Sequence, residues 1–321
     1  MRLRVIHETV YQYSPAVQNA QHLAHLRPRS EGGQRVLAHT LQVEPRPSQC
    51  VTAQDVFGNS RVFLLLPFTH EHLRVRAQTL LDTAPAPVAA AGMPWEAVRE
   101  RLIYRRGMAY HPASEFAFAS PYVPRHGDFI DYARASFTPG RPLLDVAREL
   151  TARIHADFAY SPHLTDAGTP ALESLRLRRG VCQDFAHVLI GCLRSMGLAA
   201  RYVSGYLLTE PPPGQPRLVG ADASHAWVSV WSPSPGSDGG GDGDGPQWFD
   251  LDPTNDRFAG EDYVTLAIGR DFSDVSPLRG VIHGGDNHVL QVAVTVEPAA
   301  TPAQGATPSD GYAGDLEGWP A

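Results

Sequence analysis

The chain has 321 residues, 43% hydrophobic and 19% charged, with a formal net charge of −7. That length and apolar content allow two cored domains or one large one. The acidic balance excludes the basic stripe of a nucleic-acid binder, so no nucleic-acid partner is expected.

The opening "MRLRVIHETVYQYS" has no apolar core after its arginines and does not read as a secretory signal. The longest apolar run, "VFLLLPF" at 62–68, is too short to span a bilayer, and no membrane partner is expected. An odd count of 3 cysteines fits reduced thiols, so a cytoplasmic location is expected.

Residues 1–82 read as an antiparallel β domain. "LRVIHETVYQY" alternates, with Leu3, Val5, His7, Thr9 and Tyr11 on one face. "VLAHTLQVEP" and "HLRVRAQTLLDT" read similarly, and Gly58-Asn59 in "DVFGNSRVFLLL" is a hairpin signal. Residues 83–142 read as a linker, "TAPAPVAAAGMP", followed by a helical segment.

A second domain is expected over 143–297. "PLLDVARELTARIHADF" sets Leu143, Val146, Leu150 and Ile154 on one helical stripe, and "TPALESLRLRRG" is a short helix ending at Gly180. The next helix begins near Cys182 and stops at Gly197. Strands "ARYVSGYLL", "SHAWVSVW" and "QWFDLDPT" follow, the last two joined by a Gly/Asp-rich loop at 232–247, read as a surface insertion without calcium-loop spacing. "HVLQVAVTVEP" is a last strand, and 298–321 reads as a disordered tail.

Cys182 stands at the start of a helix whose buried stripe is Phe185, Leu189, Leu193 and Met196. A helix start and a nearby imidazolium both favour a thiolate, which is the nucleophilic form. Cys50 and Cys192 read instead as small core hydrophobes. The base would be His225, which alternation places with Trp227, Ser229 and Trp231, while Ala226, Val228 and Val230 take the other face. An imidazole base needs a carboxylate to fix its tautomer. Asp250 and Asp252 share one face of the next strand, and pattern alone does not choose between them. Asp184 reads as a partner of the helix N-terminus. His187 lies about 140° round the helix from Cys182 and is not the expected base. The histidines in "HLAHLRPR" and "HEH" lack cysteine partners, so neither a metal nor any other cofactor is expected.

"GVCQDFAH", "SHAWVSVW" and "DLDPTND" resemble the three active-site motifs of the transglutaminase-like superfamily, in particular its bacterial group of cysteine proteases. "HETVYQYSPAVQNAQHLAHLRPR" is similar to the N-terminal β domain of that group, and "RDFSDVSPLRGVIHGG" to the segment after its third motif. The resemblance covers residues 2–297. It implies an α+β fold: the N-terminal antiparallel β domain, then a papain-like core with the thiol helix on an antiparallel sheet. It implies Cys182 as nucleophile, His225 as general base and acid, and Asp252 as the residue orienting the imidazole. The Cys182 backbone N–H would donate to the oxyanion; Tyr160 and Gln183 are the candidates for a second donor. The expected activity is attack on a peptide or isopeptide amide of a protein or peptide substrate, thioester formation and hydrolysis. Two alternatives stay open: amine transfer to protein glutamine, and a non-catalytic binding module on the same fold.

Overall fold

The computed structural model describes residues 1–87, 92–107, 110–162, 168–209, 224–233 and 248–299. Alternation at the N-terminus builds one very long strand, β1 (Arg2–Ala24), followed by β2 (Arg35–Glu44), β3 (Gln49–Gln54), β4 (Ser60–Leu66) and β5 (His70–Asp82). The predicted hairpin at Gly58-Asn59 joins β3 to β4: Asp55 accepts from the Phe57 and Asn59 backbone N–H groups, and Gly58 takes φ +78°.

Helices come next: α1 (Trp95–Leu102), a 3₁₀ turn (Pro112–Ala117), α2 (Gly127–Ala133) and α3 (Leu143–Asp157). The short β6 (Ala159–Tyr160) and β7 (Arg179–Gly180) flank α4 (Ala171–Leu177), and α5 (Cys182–Ser195) carries the thiol. A second sheet follows, from β8 (Ala200–Leu207), β9 (Ser224–Trp231), β10 (Trp248–Asp252), β11 (Arg257–Phe258) and β12 (Tyr263–Gly269). The described chain ends with α6 (Phe272–Val275), β13 (Leu278–Gly284) and β14 (Asn287–Pro298). Among the described residues no helix is long and apolar enough to cross a membrane.

The second sheet has the order β11-β10-β9-β8-β12. Its Ala200, Tyr202, Ala226, Val228 and Val230 pack in one core with Phe185, Val188, Leu189 and Leu193 of α5, and α2, α3 and α4 surround the helix. Helix α5 is therefore buried nearly all round, as a central helix must be. It ends as predicted: Gly197 adopts φ +83° and donates its backbone N–H to the Arg194 carbonyl. The helices of the predicted linker segment belong to this core, through Trp95, Phe129 and Ala133.

The end of the chain corrects the domain boundary expected at 297. Strands β13 and β14 do not join the thiol sheet; both pair antiparallel with β1, in the N-terminal sheet. A lone alternating strand carries no mark of which sheet it completes. Here β1 has an unpaired edge opposite β5, and its Leu3 and Val5 face matches Val294 and Val296 of β14. Those four side chains bury against Tyr206, Val264 and Leu266, so the two sheets share an apolar contact. Polar stitches reinforce it along the exposed edge of β12. The Asn59 side-chain amide exchanges hydrogen bonds with the backbone of Ile268, and that of Gln34 with Thr265. An edge strand's free backbone groups are satisfied in this way.

The tail beyond 299 and most of the 232–247 loop lie outside the described residues.

Candidate active site

The thiol is placed by its helix start. The Asp184 carboxylate accepts from the Val181 backbone N–H at 2.8 Å and from the Ser174 hydroxyl at 2.8 Å. It therefore caps α5, as expected, and also ties α4 to it. Gly180 is required beside it: a Cβ there would lie 2.4 Å from Asp184 Oδ2. Cys182 is the first residue of the helix and half-buried, lining a cavity of about 310 Å³ that His225 also lines. Cys192 is fully buried, and burial pushes its thiol up to about 12, as suits a core cysteine. Cys50 packs half-buried against the N-terminal core from β3, the edge strand of its sheet.

His225 enters from the second residue of β9, paired opposite Gly205 of β8. The predicted alternation holds: Ala226, Val228 and Val230 pack on α5, while Trp227 packs with Tyr263 on the other face. The imidazole thus meets the thiol at the end of the strand, not across the middle of the sheet. Gly205 makes this possible, because a Cβ there would lie 2.1 Å from the Val264 carbonyl and 2.4 Å from the Trp227 ring.

The Asp alternatives resolve geometrically. His225 Nε2 lies 2.7 Å from Asp252 Oδ2, whereas Asp250 accepts from Trp227 Nε1 at 3.0 Å. Cys182 lines the same cavity as His225, and its sulfur is among the groups that raise the imidazole.

Asp252 is fully buried, and its charge is held by a ring of donors. Oδ2 also accepts from Tyr263 Oη and Asn255 Nδ2, each at 2.7 Å, and Oδ1 from the Thr254 and Asn255 backbone N–H groups. Burial is the largest influence and opposes ionisation, but His225, Tyr263 and Asn255 together outweigh it and the carboxyl falls to about 2. For His225, burial is again the largest influence and disfavours the charge. Asp252 and Cys182 together overcome it and raise the imidazole to about 10. Both shifts favour a carboxylate–imidazolium pair. An imidazolium beside a sulfur favours the thiolate.

Tyr263 and Asn255 were not singled out by sequence. Asn255 sits inside the quoted "DLDPTND", where it carried no role. Tyr263 is on another strand, 11 residues beyond Asp252, and no local signal marks it. Gln183 is buried and lines the cavity, while Tyr160 is raised first by burial and then by the nearby Cys182. Of the two second-donor candidates, Gln183 lines the cavity with the sulfur, whereas Tyr160 is 57% exposed. His187 is structural in its contacts: fully buried, held down to about 4 by burial, and accepting from the Phe272 backbone N–H. The N-terminal sheet supplies part of the cavity wall through His7, Thr9 and Tyr11, a role its sequence did not reveal.

Residues 130–253 match the transglutaminase-like superfamily, and residues 3–82 match the bacterial transglutaminase-like N-terminal region. The chain belongs to the transglutaminase-like superfamily. An uncharacterized protein of Mycobacterium tuberculosis is 41% identical over 306 residues, covering 92% of this chain and 93% of that protein. One from Mycobacterium leprae is 29% identical over 298 residues, covering 92% and 98%. A protein-glutamine gamma-glutamyltransferase of Pseudomonas aeruginosa is 28% identical over 173 residues, covering 49% of this chain and 24% of that enzyme. The crystal structure of a candidate cysteine protease from Cytophaga hutchinsonii has the same fold, with a TM-score of 0.68, 18% identity, and 94% and 91% of the two chains covered.

Proposed function

We propose that this protein is a thiol enzyme that cleaves a peptide or isopeptide amide through a thioester. The observation that carries the reading is the His225 imidazole, hydrogen-bonded to the buried Asp252 and lining one cavity with the Cys182 thiol. The Cys182 thiolate attacks the amide carbonyl and a C–S bond forms. The developing oxyanion is met by the backbone N–H at the start of α5. His225 gives its proton to the leaving amine as the C–N bond breaks. Water then attacks the thioester, losing a proton to His225, and a carboxylic acid leaves as the C–S bond breaks. Asp252 keeps the imidazole oriented and stabilises its charged form throughout. A reduced thiol in the cytoplasm, acting on protein or peptide substrates, belongs to the same reading.

A second reading, transfer to a primary amine instead of water, is supported by the similarity to the Pseudomonas aeruginosa gamma-glutamyltransferase. The thioester is common to both.

The test needs no substrate at first. Alkylation of each cysteine by iodoacetamide is followed across pH 4 to 9 in wild type and His225→Ala. Cys182 is expected to react well below the pH at which a free thiol of pKa ~8.5 does, and the variant to lose this. Amide donors are then screened with and without added amine, which separates hydrolysis from transfer. If Cys182 reacts no faster than Cys50, the enzyme reading falls and a binding role replaces it.

A further inference from the structure

The cavity that holds Cys182 has a second wall, and that wall comes from the other sheet. Pairing of β14 with β1 sets Leu290 opposite Tyr11 and Val292 opposite Thr9. Two residues further along the same face, Val294 and Val296 are 1% and 0% exposed, sealed against the thiol domain. The apolar face does not stop at that seal. It runs on into the cavity, where Leu290 and Val292 line the space in front of Cys182 and stay 48% and 51% exposed. Leu278, the first residue of β13, lines the same cavity.

The chemistry of the lining is selective. In a chain with 34 acidic residues and 27 arginines, the lining has no aspartate, glutamate or arginine among the described residues. His7, which shares the second wall with Tyr11, is occupied on both nitrogens by Thr9 and Tyr206. A charged substrate side chain would lose water there and meet no charged group apart from His225, which is already bonded to Asp252, and that is costly. An apolar one would cover surface that Leu290 and Val292 now expose to water, which is favourable. About 310 Å³ is at the small end of ligand cavities, enough for one side chain and its peptide unit.

We infer that Leu290, Val292 and Leu278 form a specificity subsite that receives an apolar side chain next to the carbonyl attacked by Cys182. The inference rests on the proposed thioester chemistry and names its substrate class: a peptide acyl donor with a residue such as leucine at the reacting position. The strand that closes the N-terminal sheet is thereby a specificity element of the thiol site.

The test uses three reagents on the full chain: N-acetyl-leucine chloromethyl ketone, N-acetyl-glutamine chloromethyl ketone and plain iodoacetamide. The first two are neutral and similar in size, so the chain's net charge biases neither. Labelling of Cys182 is followed by mass spectrometry, with each rate divided by that reagent's rate on a small free thiol. The leucine reagent is expected to label roughly tenfold faster than the glutamine reagent. The double variant Leu290→Ser, Val292→Ser is expected to remove that preference while leaving the iodoacetamide rate unchanged, which shows an intact site. Equal labelling by both peptide reagents in wild type overturns the inference, as does a preference that survives the double variant. The two readings separate cleanly. Amide cleavage without the preference removes the subsite alone; the preference without any amide turnover removes the enzyme reading and leaves an apolar peptide-binding cleft.

Discussion

The charge state of the site turns on Asp252. Five donors converge on one fully buried carboxylate, and His225 is the single one among them that must stay charged. Asp252→Asn keeps much of the shape but removes the charge that holds the imidazolium. Turnover of any amide substrate is expected to fall by on the order of 10³–10⁴, and rapid alkylation of Cys182 below pH 7 to disappear. The same pair predicts a pH dependence of stability. His225 is raised from an ordinary 6.5 to about 10. Protonation is thus favoured in the folded state, so the stabilisation is complete below pH 6.5 and fades as pH rises towards about 10. The gap in unfolding free energy between wild type and His225→Gln should narrow over that window, as measured by urea titration. The thiol and the imidazole were legible because each sits in a short quoted motif. The choice of Asp252 over Asp250 was not, because both share a strand face and only the register of β9 against β10, which sets Asp250 opposite Ser229, decides which one reaches the ring.

The elements that carry these residues depend on backbone closeness that only glycine permits. At Gly205, β8 passes so near Trp227 and β12 that no side chain fits. Gly205→Ala is expected to cost about 3 kcal/mol or more, since backbone rather than a flexible side chain must yield. A thermal scan would show it, and the loss should accompany slower alkylation of Cys182 as Trp227 shifts under His225. A glycine in the middle of "ARYVSGYLL" reads from sequence only as a weak point in a strand. The reason for it lies on two other strands. Helix α5 was easier to read, because its boundaries are local: a cap supplied by Asp184, three residues past Val181, and a stop at Gly197.

At the scale of the whole molecule, chain order and spatial order part company. The two ends of the described residues pair along the full length of β14, Leu3 opposite Pro298 and Ser14 opposite Asn287. A chain cut after residue 277 keeps all of the proposed catalytic residues but loses β13 and β14. It is expected to fail to fold cooperatively, because Leu3 and Val5 lose the strand that seals them; circular dichroism and thermal melting would detect this. Buried histidines set a second global property. His7, His22 and His187 are buried, and burial holds each down to about 4. Between pH 6.5 and about 4 the unfolded chain binds protons that these rings refuse. Stability should therefore fall with acid, by about 1.4 kcal/mol per pH unit for each ring at most. A melting temperature that stays flat from pH 7 to 5 would contradict this.

Alternation and helical spacing by themselves determined an N-terminal antiparallel sheet, a thiol at a helix start and a histidine on a following strand. These follow from periods of two and 3.6 residues, which neighbouring side chains enforce. Three things were decided only by the tertiary structure. Strands 278–298 complete the first sheet instead of the second, because an alternating strand joins whichever edge offers open hydrogen bonds and a matching apolar face. Tyr263 and Asn255 hold the carboxylate, because a buried charge recruits every donor that packing brings within reach. The cavity before Cys182 takes its far wall from residues more than 90 positions away in either direction, since a cleft between two sheets belongs to no single stretch of sequence.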